Sequence, residues 1–378
     1  MTIEEAINLG AEKQRAGRLA DAEALYRHSL ALQPDLLEGH FNLGTVLDRL
    51  GRWPDAIAAF REAMRIRPDF PRAHWNLGAS LLRQGDFVNG FAEYEWRAQV
   101  PELRINRVKS PRPQWRGEEL GGRRILLYAE QGFGDSIQFA RFIPEVARRG
   151  GKVLLGCQRD LTALLGRLPG VETCLPQPGP APADFSFHCT LPSLPYALGT
   201  TLATIPAPRA YLTADPAKSE LWRSRLAKGE QKRVGFVWAG RPTHQDDMNR
   251  SIALSRLAPL AAVANIQWFS LQKGPAALAK AEFPAAMNDW TAELTDYDDT
   301  AAMIEHLDLI ITVDTSVAHL AGALGRPAWV LIPFVPDWRW MLERNDSPWY
   351  PSLRLFRQPR IGDWETTIAI VAEALKNA

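Results

Sequence analysis

The sequence predicts an α + α/β protein, a helical repeat region followed by two α/β units with parallel sheets. Three observations predict it. The first part of the chain repeats with a step of 34 residues, so that Gly10, Gly44 and Gly78 align, as do Gly17, Gly51 and Gly85. A fixed step of that size means stacked helix pairs. From Arg124 onward, short apolar runs alternate with amphipathic ones, the pattern of a parallel sheet with helices on both faces. At 378 residues the chain is also too long for one ordinary core.

Each repeat can be built from its residues. Leu9-Gly10, Leu43-Gly44 and Leu77-Gly78 sit on a first helix, and the second glycine of each unit marks the turn into an antiparallel partner. Small residues at Ala22 and Ala56 let the two helices approach, while Tyr26 and Phe60 fill the gap between them. Pro34 and Pro68 end the second helices, because proline cannot continue a helix. This pattern resembles the tetratricopeptide repeat, with nearly every signature position met in residues 36–68. The third unit departs from it: Gly90 stands where a small helix former belongs, and no Pro-Asp follows Ala98. Residues 1–100 are thus read as a three-repeat platform whose last unit leads into the next domain. Such platforms hold a peptide or partner protein in a concave groove. His40, Asn42, His74 and Asn76 fall on the first helices, as groove residues or as solvated helix surface.

Composition excludes several classes. With 44 basic and 43 acidic residues and a net charge of +1, bulk electrostatics gives no reason to expect nucleic acid or an anionic membrane as partner. No apolar run reaches the length of a membrane span, and the N-terminus lacks a signal-peptide layout, so the expectation is a soluble, cytoplasmic protein. Cys157, Cys174 and Cys189 show no CxxC spacing and are read as buried or idle thiols.

Residues 101–122 shift to Pro, Arg and Trp without helical period and are read as a linker, with Trp115 pinning it onto a neighbouring domain. Residues 123–207 form the first α/β unit, with strands at 125–130, 152–157, 171–175 and 184–188 and a helix over 136–149. Residues 208–378 form the second, with strands at 234–238, 266–271, 309–313 and 328–333 and a closing helix over 365–376. Ligands of such sheets sit beyond the strand C-termini. The informative turns are therefore those after Glu130, Trp238, Leu271, Val313 and Pro333.

Two of these turns carry chemistry. In LIITVDTSVAHLAGALGRP a strand passes through Asp314, Thr315 and Ser316, any of which would cap the next helix, and His319 lies in that helix's first turn. Helix amides and dipole there favour phosphate, as in a nucleoside diphosphate; the alternative is an ordinary βα turn. In AEQGFGDSIQFARFIP, Gly132 and Gly134 allow a tight turn and close approach of a ligand, and Asp135 begins the next helix. Asp135 is either a plain cap or, facing the cleft, a base for an acceptor hydroxyl.

The two motifs together resemble the heptosyltransferase-type (family 9) glycosyltransferases, which have two Rossmann-like domains (the GT-B fold) and use ADP-sugars. The resemblance covers roughly residues 124–378. It implies an inverting, metal-independent transfer in which Asp135 after Gly134 is the base and Asp314, Thr315, Ser316 and His319 hold the donor diphosphate. With the repeats, the whole chain resembles bacterial tetratricopeptide-repeat glycosyltransferases, some associated with glycosylation of proteins such as flagellin. Ser316 replaces the family's glycine, and the first α/β unit is short for an acceptor domain.

Further donor-side residues follow from the remaining turns. Arg250, and second Arg241, would offset charge on the leaving diphosphate. Trp338 and Arg339, in an aromatic-rich loop, would stack on the donor and pair with phosphate, or pack a loop lid. Asp296-Tyr297-Asp298 spells DxD but precedes a helix and is read as a cap; no metal is assigned, and no cofactor beyond the nucleotide sugar. The resulting expectation is transfer from a nucleotide sugar to a protein or peptide acceptor presented by the repeats. The competing one is a non-catalytic repeat scaffold with a degenerate α/β half.

Overall fold

A computed structural model describes residues 1–378 except 106, 107, 109, 181, 227, 228 and 245, and the chain divides into two compact units. The first comprises Met1–Arg107, Gly199–Thr204 and Val335–Leu342; the second comprises Val108–Leu198, Ile205–Phe334 and Glu343–Ala378. Three residues of the predicted linker, 106, 107 and 109, lie outside the described residues.

The first unit is built on three antiparallel helix pairs: α1 (Ile3–Arg15) with α2 (Leu19–Leu32), α3 (Leu37–Arg49) with α4 (Trp53–Ile66), and α5 (Pro71–Arg83) with α6 (Phe87–Tyr94). Gly17, Gly51 and Gly85 turn each pair at φ of 75°, 76° and 89°, the left-handed region that glycine enters without steric cost. Gly10 and Gly44 serve close approach instead: an added Cβ would lie 2.6 Å from the Tyr26 ring or 2.7 Å from the Phe60 ring. The predicted gap-fillers thus sit directly on the glycines opposite.

The third pair ends differently. Helix α6 has 8 residues where α2 and α4 have 14, and the chain's own Val335–Leu342 segment packs on this repeat. A terminal repeat needs a cover for the face that a further repeat would otherwise bury. Trp338, 3% exposed, stands edge-on to Phe91 and Tyr94, with ring centroids 5.7 and 5.9 Å away. Arg83 Nε donates to Pro336 O at 3.0 Å, and its Nη1 donates to Asp48 at 2.6 Å. Arg339 pairs with Asp337 at 2.8 Å. Burial pushes the Asp337 carboxyl up, but the Arg339 charge, the hydrogen bonds from Arg339 and the Arg83 charge outweigh it and hold it below the usual carboxylate range.

The second unit holds two parallel sheets. The first has four strands, β1 (Arg124–Tyr128), β2 (Lys152–Gln158), β3 (Val171–Gln177) and β4 (Phe187–Thr190), in the order β3-β2-β1-β4. The second has six, β5 (Lys232–Val237), β6 (Ile266–Ser270), β7 (Met287–Asp289), β8 (Leu309–Val313), β9 (Ala328–Ile332) and β10 (Leu353–Arg357), in the order β10-β9-β8-β5-β6-β7. All five residues of β8 and of β9 are buried, as strands covered on both faces must be. Strand order reverses beside β1 and between β5 and β8. Those switch points put the turns after β1, β5 and β8 at the crevices where such sheets take ligands.

Three local expectations change. The helix expected over 136–149 is two, Phe133–Ala140 and Ile143–Arg148, because Pro144 has no N–H to give the Ala140 carbonyl. Strands β7 and β10 were not expected; β7 is three half-buried residues at a sheet edge, and arginines interrupt the apolar run of β10. The 101–122 segment is more than a linker: Gln114 bridges His188 of β4 in parallel, and buried Trp115 donates its backbone N–H to His188 O at 2.8 Å. Among the described residues no helix is long and apolar enough to cross a membrane.

Truncating the cover of the third repeat tests its role. Trp338→Ala should lower unfolding stability by about 3–5 kcal/mol in a urea melt followed by circular dichroism. A loss under about 1 kcal/mol would show that the indole is not a packing element.

Candidate functional site

The turn after β1 leads into the Phe133–Ala140 helix, whose N-cap is Gly132. Asp135 is its third residue, half-buried, and its Oδ2 accepts the Gly132 amide at 2.9 Å, so the carboxylate is turned back over the turn. Neither glycine of this turn has a positive φ. Gly134 is there for close approach, to protein rather than ligand: an added Cβ would lie 2.8 Å from His319 Cδ2 and 3.6 Å from Ser316 Cα.

The turn after β8 leads into the Ser316–Ala323 helix. Of the three possible caps, Thr315 takes the role, its Oγ1 accepting from Val317 N at 3.3 Å. Ser316 is the first helical residue, and its hydroxyl shares a 2.6 Å hydrogen bond with Tyr297 Oη. The Tyr297 ring packs on Phe133 of the other turn, centroids 4.8 Å apart. Burial pushes the Tyr297 hydroxyl up to about 12, against the Ser316 hydrogen bond and the Arg241 charge, so it stays protonated at neutral pH. The two motif turns, more than 170 residues apart in sequence, are in van der Waals contact through the first turns of their helices.

His319 lies inside this contact. It is 5% exposed, its Nδ1 is 2.9 Å from Tyr350 Oη, and its other edge faces Gly134. Tyr350 fits because Gly322, one helical turn beyond His319, has no side chain to displace its ring. Behind Tyr350 sits buried Arg141, its guanidinium 4.4 Å from the Tyr350 ring centroid and 5.0 Å from that of Tyr211. Arg141 donates to the carbonyls of Gln138, Pro206 and Trp349 and to Tyr211 Oη, with no carboxylate partner among the described residues.

The turn after β5 brings the arginines. Arg250 packs over Gly240, where an added Cβ would be 2.6 Å from Nη2, and it pairs with Asp247 at 3.4 Å. Gln272 fixes this turn by accepting from the amides of Trp238 and Ala239 at 3.0 and 2.9 Å. Arg241 is exposed on the same loop, and its charge reaches Tyr297. Because β5 pairs with β8, the loop that carries both arginines leaves its sheet beside the strand that leads to Asp314, which is 9% exposed.

Other predicted residues have different work. Trp338 and Arg339 are a correction: their ring and charge are engaged within the repeat unit, against Phe91, Tyr94 and Asp337. His40 and His74 are a second: the step of 34 places each ring on the carbonyl of the proline closing the unit before, Pro34 or Pro68, at 2.7 Å. His74 also bonds Glu93 at 2.5 Å and stacks on Trp96 at 4.0 Å. Asn42 and Asn76 are partly exposed on α3 and α5. The Asp296-Tyr297-Asp298 run divides into three roles. Asp296 caps the Tyr297–Ile304 helix, Tyr297 joins the turn after β8, and Asp298, 2% exposed, forms a two-pronged ion pair with Arg167 at 2.9 and 2.5 Å. Sequence reasoning missed Tyr350, Arg141 and Tyr211; Gly322, at helical spacing from His319, was the signal that a large ring lies there.

A helical repeat unit followed by two parallel α/β sheets whose motif turns meet is the architecture of a tetratricopeptide-repeat protein with a GT-B half. Comparison with known proteins agrees: residues 49–85 match a TPR repeat model, and residues 288–331 match glycosyltransferase family 9 (heptosyltransferase). The second match spans the Tyr297 helix, the Asp314 turn and His319. The chain is thus similar to tetratricopeptide repeats over residues 49–85 and to glycosyltransferase family 9 over residues 288–331. It is 28% identical over 314 residues to the protein FlbA of Caulobacter vibrioides, covering 76% of this chain and 52% of that one, so it spans about half the length of this relative. Among solved structures, the glycosyl transferase family 9 protein from Veillonella parvula aligns with 69% of this chain and 91% of its own, at 10% identity and a TM-score of 0.49. The Yersinia enterocolitica secretion chaperone SycD in complex with a YopD peptide aligns with 27% and 80%, at 19% identity and a TM-score of 0.25.

The glycine contact makes a sharp prediction. Gly134→Ala should cost about 1–3 kcal/mol in thermal unfolding, since the methyl cannot enter without moving His319. Gly132→Ala, whose methyl meets only Asp135 Oδ2 at 3.3 Å, should cost under about 1 kcal/mol. Equal costs would mean that the two helix ends are not packed on each other.

Proposed function

We propose that the α/β half transfers a sugar from a nucleoside-diphosphate sugar to an acceptor hydroxyl, with inversion at the sugar and without a metal ion. The observation that carries this reading is the contact of Gly134 with His319, which brings Asp135 and the Asp314 turn to one place. Two helix N-termini and Arg250 then supply positive potential for a diphosphate, with Arg241 at the rim. Asp135, oriented by the Gly132 amide, takes the proton of the acceptor hydroxyl as that oxygen attacks the anomeric carbon. The bond to the diphosphate breaks, and the departing charge meets Arg250, the first amides of the Ser316–Ala323 helix and His319. An ADP-sugar is the first donor to try. The acceptor is a protein or peptide held by the repeats, flagellin-like chains among them, with Asn42 and Asn76 reading it, and the reaction belongs in the cytoplasm.

Calorimetric titration with ADP, UDP, GDP and CMP, without and then with magnesium, tests the donor side. One of them, ADP first, should bind selectively without metal, and His319→Ala should weaken that binding by about 1–3 kcal/mol. If none binds, the repeats rather than the α/β half carry the function. For the catalytic role, Asp135→Asn should bind the nucleotide as the wild type does while transfer falls by on the order of 10²–10⁴-fold. Undiminished transfer would remove Asp135 from the mechanism.

A further inference from the structure

We infer that Gln158, the last residue of β2, is a positioning residue that fixes the turn carrying Asp135 by bridging the two ends of that turn with its side-chain amide. The bridge stands on its own geometry; its functional meaning rests on the reading of Asp135 as the base.

A primary amide donates from its nitrogen and accepts at its oxygen, so one planar group can hold two different partners at a fixed spacing. Gln158 Nε2 donates to Gln131 O at 2.7 Å, and Gln158 Oε1 accepts from Ser136 Oγ at 2.8 Å. The two roles are not interchangeable. A backbone carbonyl can only accept, so the NH2 must face Gln131; the amide oxygen then faces Ser136, whose hydroxyl gives its proton there. Gly132 O lies farther from that hydroxyl, at 3.3 Å, and takes the Ser136 amide at 3.2 Å. Ser136 is buried, so water competes little for its side of the bridge.

Asp135 lies inside the bridged span. It immediately precedes Ser136, and its Oδ2 accepts the Gly132 amide from within the same turn. Strand pairing brings Gln158 to this place: Gly156 pairs with Tyr128 and accepts the Ala129 amide at 2.8 Å, so the chain two residues on runs beside the one leaving β1. The second sheet uses the same device. Gln272, just past β6, holds the turn after the neighbouring β5, accepting from the Trp238 and Ala239 amides and donating to Ala239 O at 3.1 Å. Gln358, just past β10, accepts the Phe334 amide beyond the neighbouring β9 at 3.1 Å. Each time a glutamine at the C-terminal end of one strand holds the turn that follows the strand beside it, at the edge where such sheets take ligands. In the turn after β1 the residue so held is a carboxylate that must meet an acceptor hydroxyl, where a misplacement of about 1 Å can cost about a hundredfold in rate.

Hydrogen exchange of single backbone amides in the full chain, followed by ¹H–¹⁵N spectra, tests the bridge. The reporters are Gly132, whose amide reads the pose of Asp135, and Ser136, whose amide reads the start of the helix; Ile311, buried in β8, is the control. In Gln158→Met, which keeps the length and loses both bonds, the reporters should exchange about tenfold faster than in the wild type while Ile311 is unchanged. Gln158→Glu separates hydrogen bonding from packing. Ionised, its carboxylate sets an acceptor against the Gln131 carbonyl; protonated, its O–H donates there while its C=O accepts from Ser136. Its reporters should therefore exchange faster than those of the wild type at about pH 8 and approach the wild-type rates at about pH 5, whereas Gln158→Met stays fast at both. Taking each ratio at one pH cancels what the chain's own carboxylates do. Affinity for ADP and UDP should stay within about twofold in Gln158→Met, since the turn after β8 keeps its own bonds. Unchanged reporters in Gln158→Met, or a Gln158→Glu ratio that ignores pH, overturns the proposal. A loss of nucleotide affinity of about tenfold would place Gln158 on the nucleotide side and overturn its role toward Asp135. Binding of neither nucleotide by the wild type counts against the transferase reading alone, because the exchange rates still decide the bridge.

Discussion

The arrangement of the α/β half depends on the close approach of Gly134 to His319. A helix end from the first sheet can touch the one from the second here only because it carries no side chain where the His319 ring stands. Gly134 supplies that absence, and no strained backbone is needed for it. Once the two ends meet, Asp135 on one and the Thr315-capped turn on the other are fixed relative to each other. Around them lies a second layer, in which Phe133 packs on Tyr297, Tyr297 bonds Ser316 and Tyr350 bonds His319. Ser316, a departure from the glycine of the resembled family, has a partner here, its hydroxyl tying the turn after β8 to the Tyr297–Ile304 helix.

Charge inside this half is handled in two ways. Asp298 and Arg167 neutralise each other in a two-pronged pair joining the segment after β2 to the helix before β8. Removing Arg167, which is partly exposed, leaves the buried Asp298 carboxylate uncompensated and costs more than the pair contributes. Arg141 has no carboxylate partner among the described residues and is solvated by carbonyls and aromatic faces.

The repeat unit shows the same economy of sequence. Its last helix pair is shorter than the others, and a segment from far along the chain covers it with Trp338 and Met341. An aromatic-rich run following a strand resembles a ligand-binding loop in one dimension. What decides its role is the presence of Phe91, Tyr94 and Arg83 to receive it.

The amino-acid sequence by itself determined everything that depends on near neighbours. The step of 34, the turn glycines, the buried strands and both motif turns are set by residues within a helical turn or a strand of one another, and they stand where the pattern puts them. The helix break at Pro144 was equally local and was written in the sequence, though the apolar period masks it. Tertiary structure alone decided the rest. Which of Asp314, Thr315 and Ser316 caps the helix depends on what else competes for each side chain. That His40 and His74 clamp the prolines, that Trp338 packs on Phe91 and Tyr94, and that Tyr350 and Arg141 stand behind His319 depend on contacts between distant or differently oriented segments. Periodicity carries no record of such partners, because a side chain's hydrogen bond is chosen by whatever the fold brings to it.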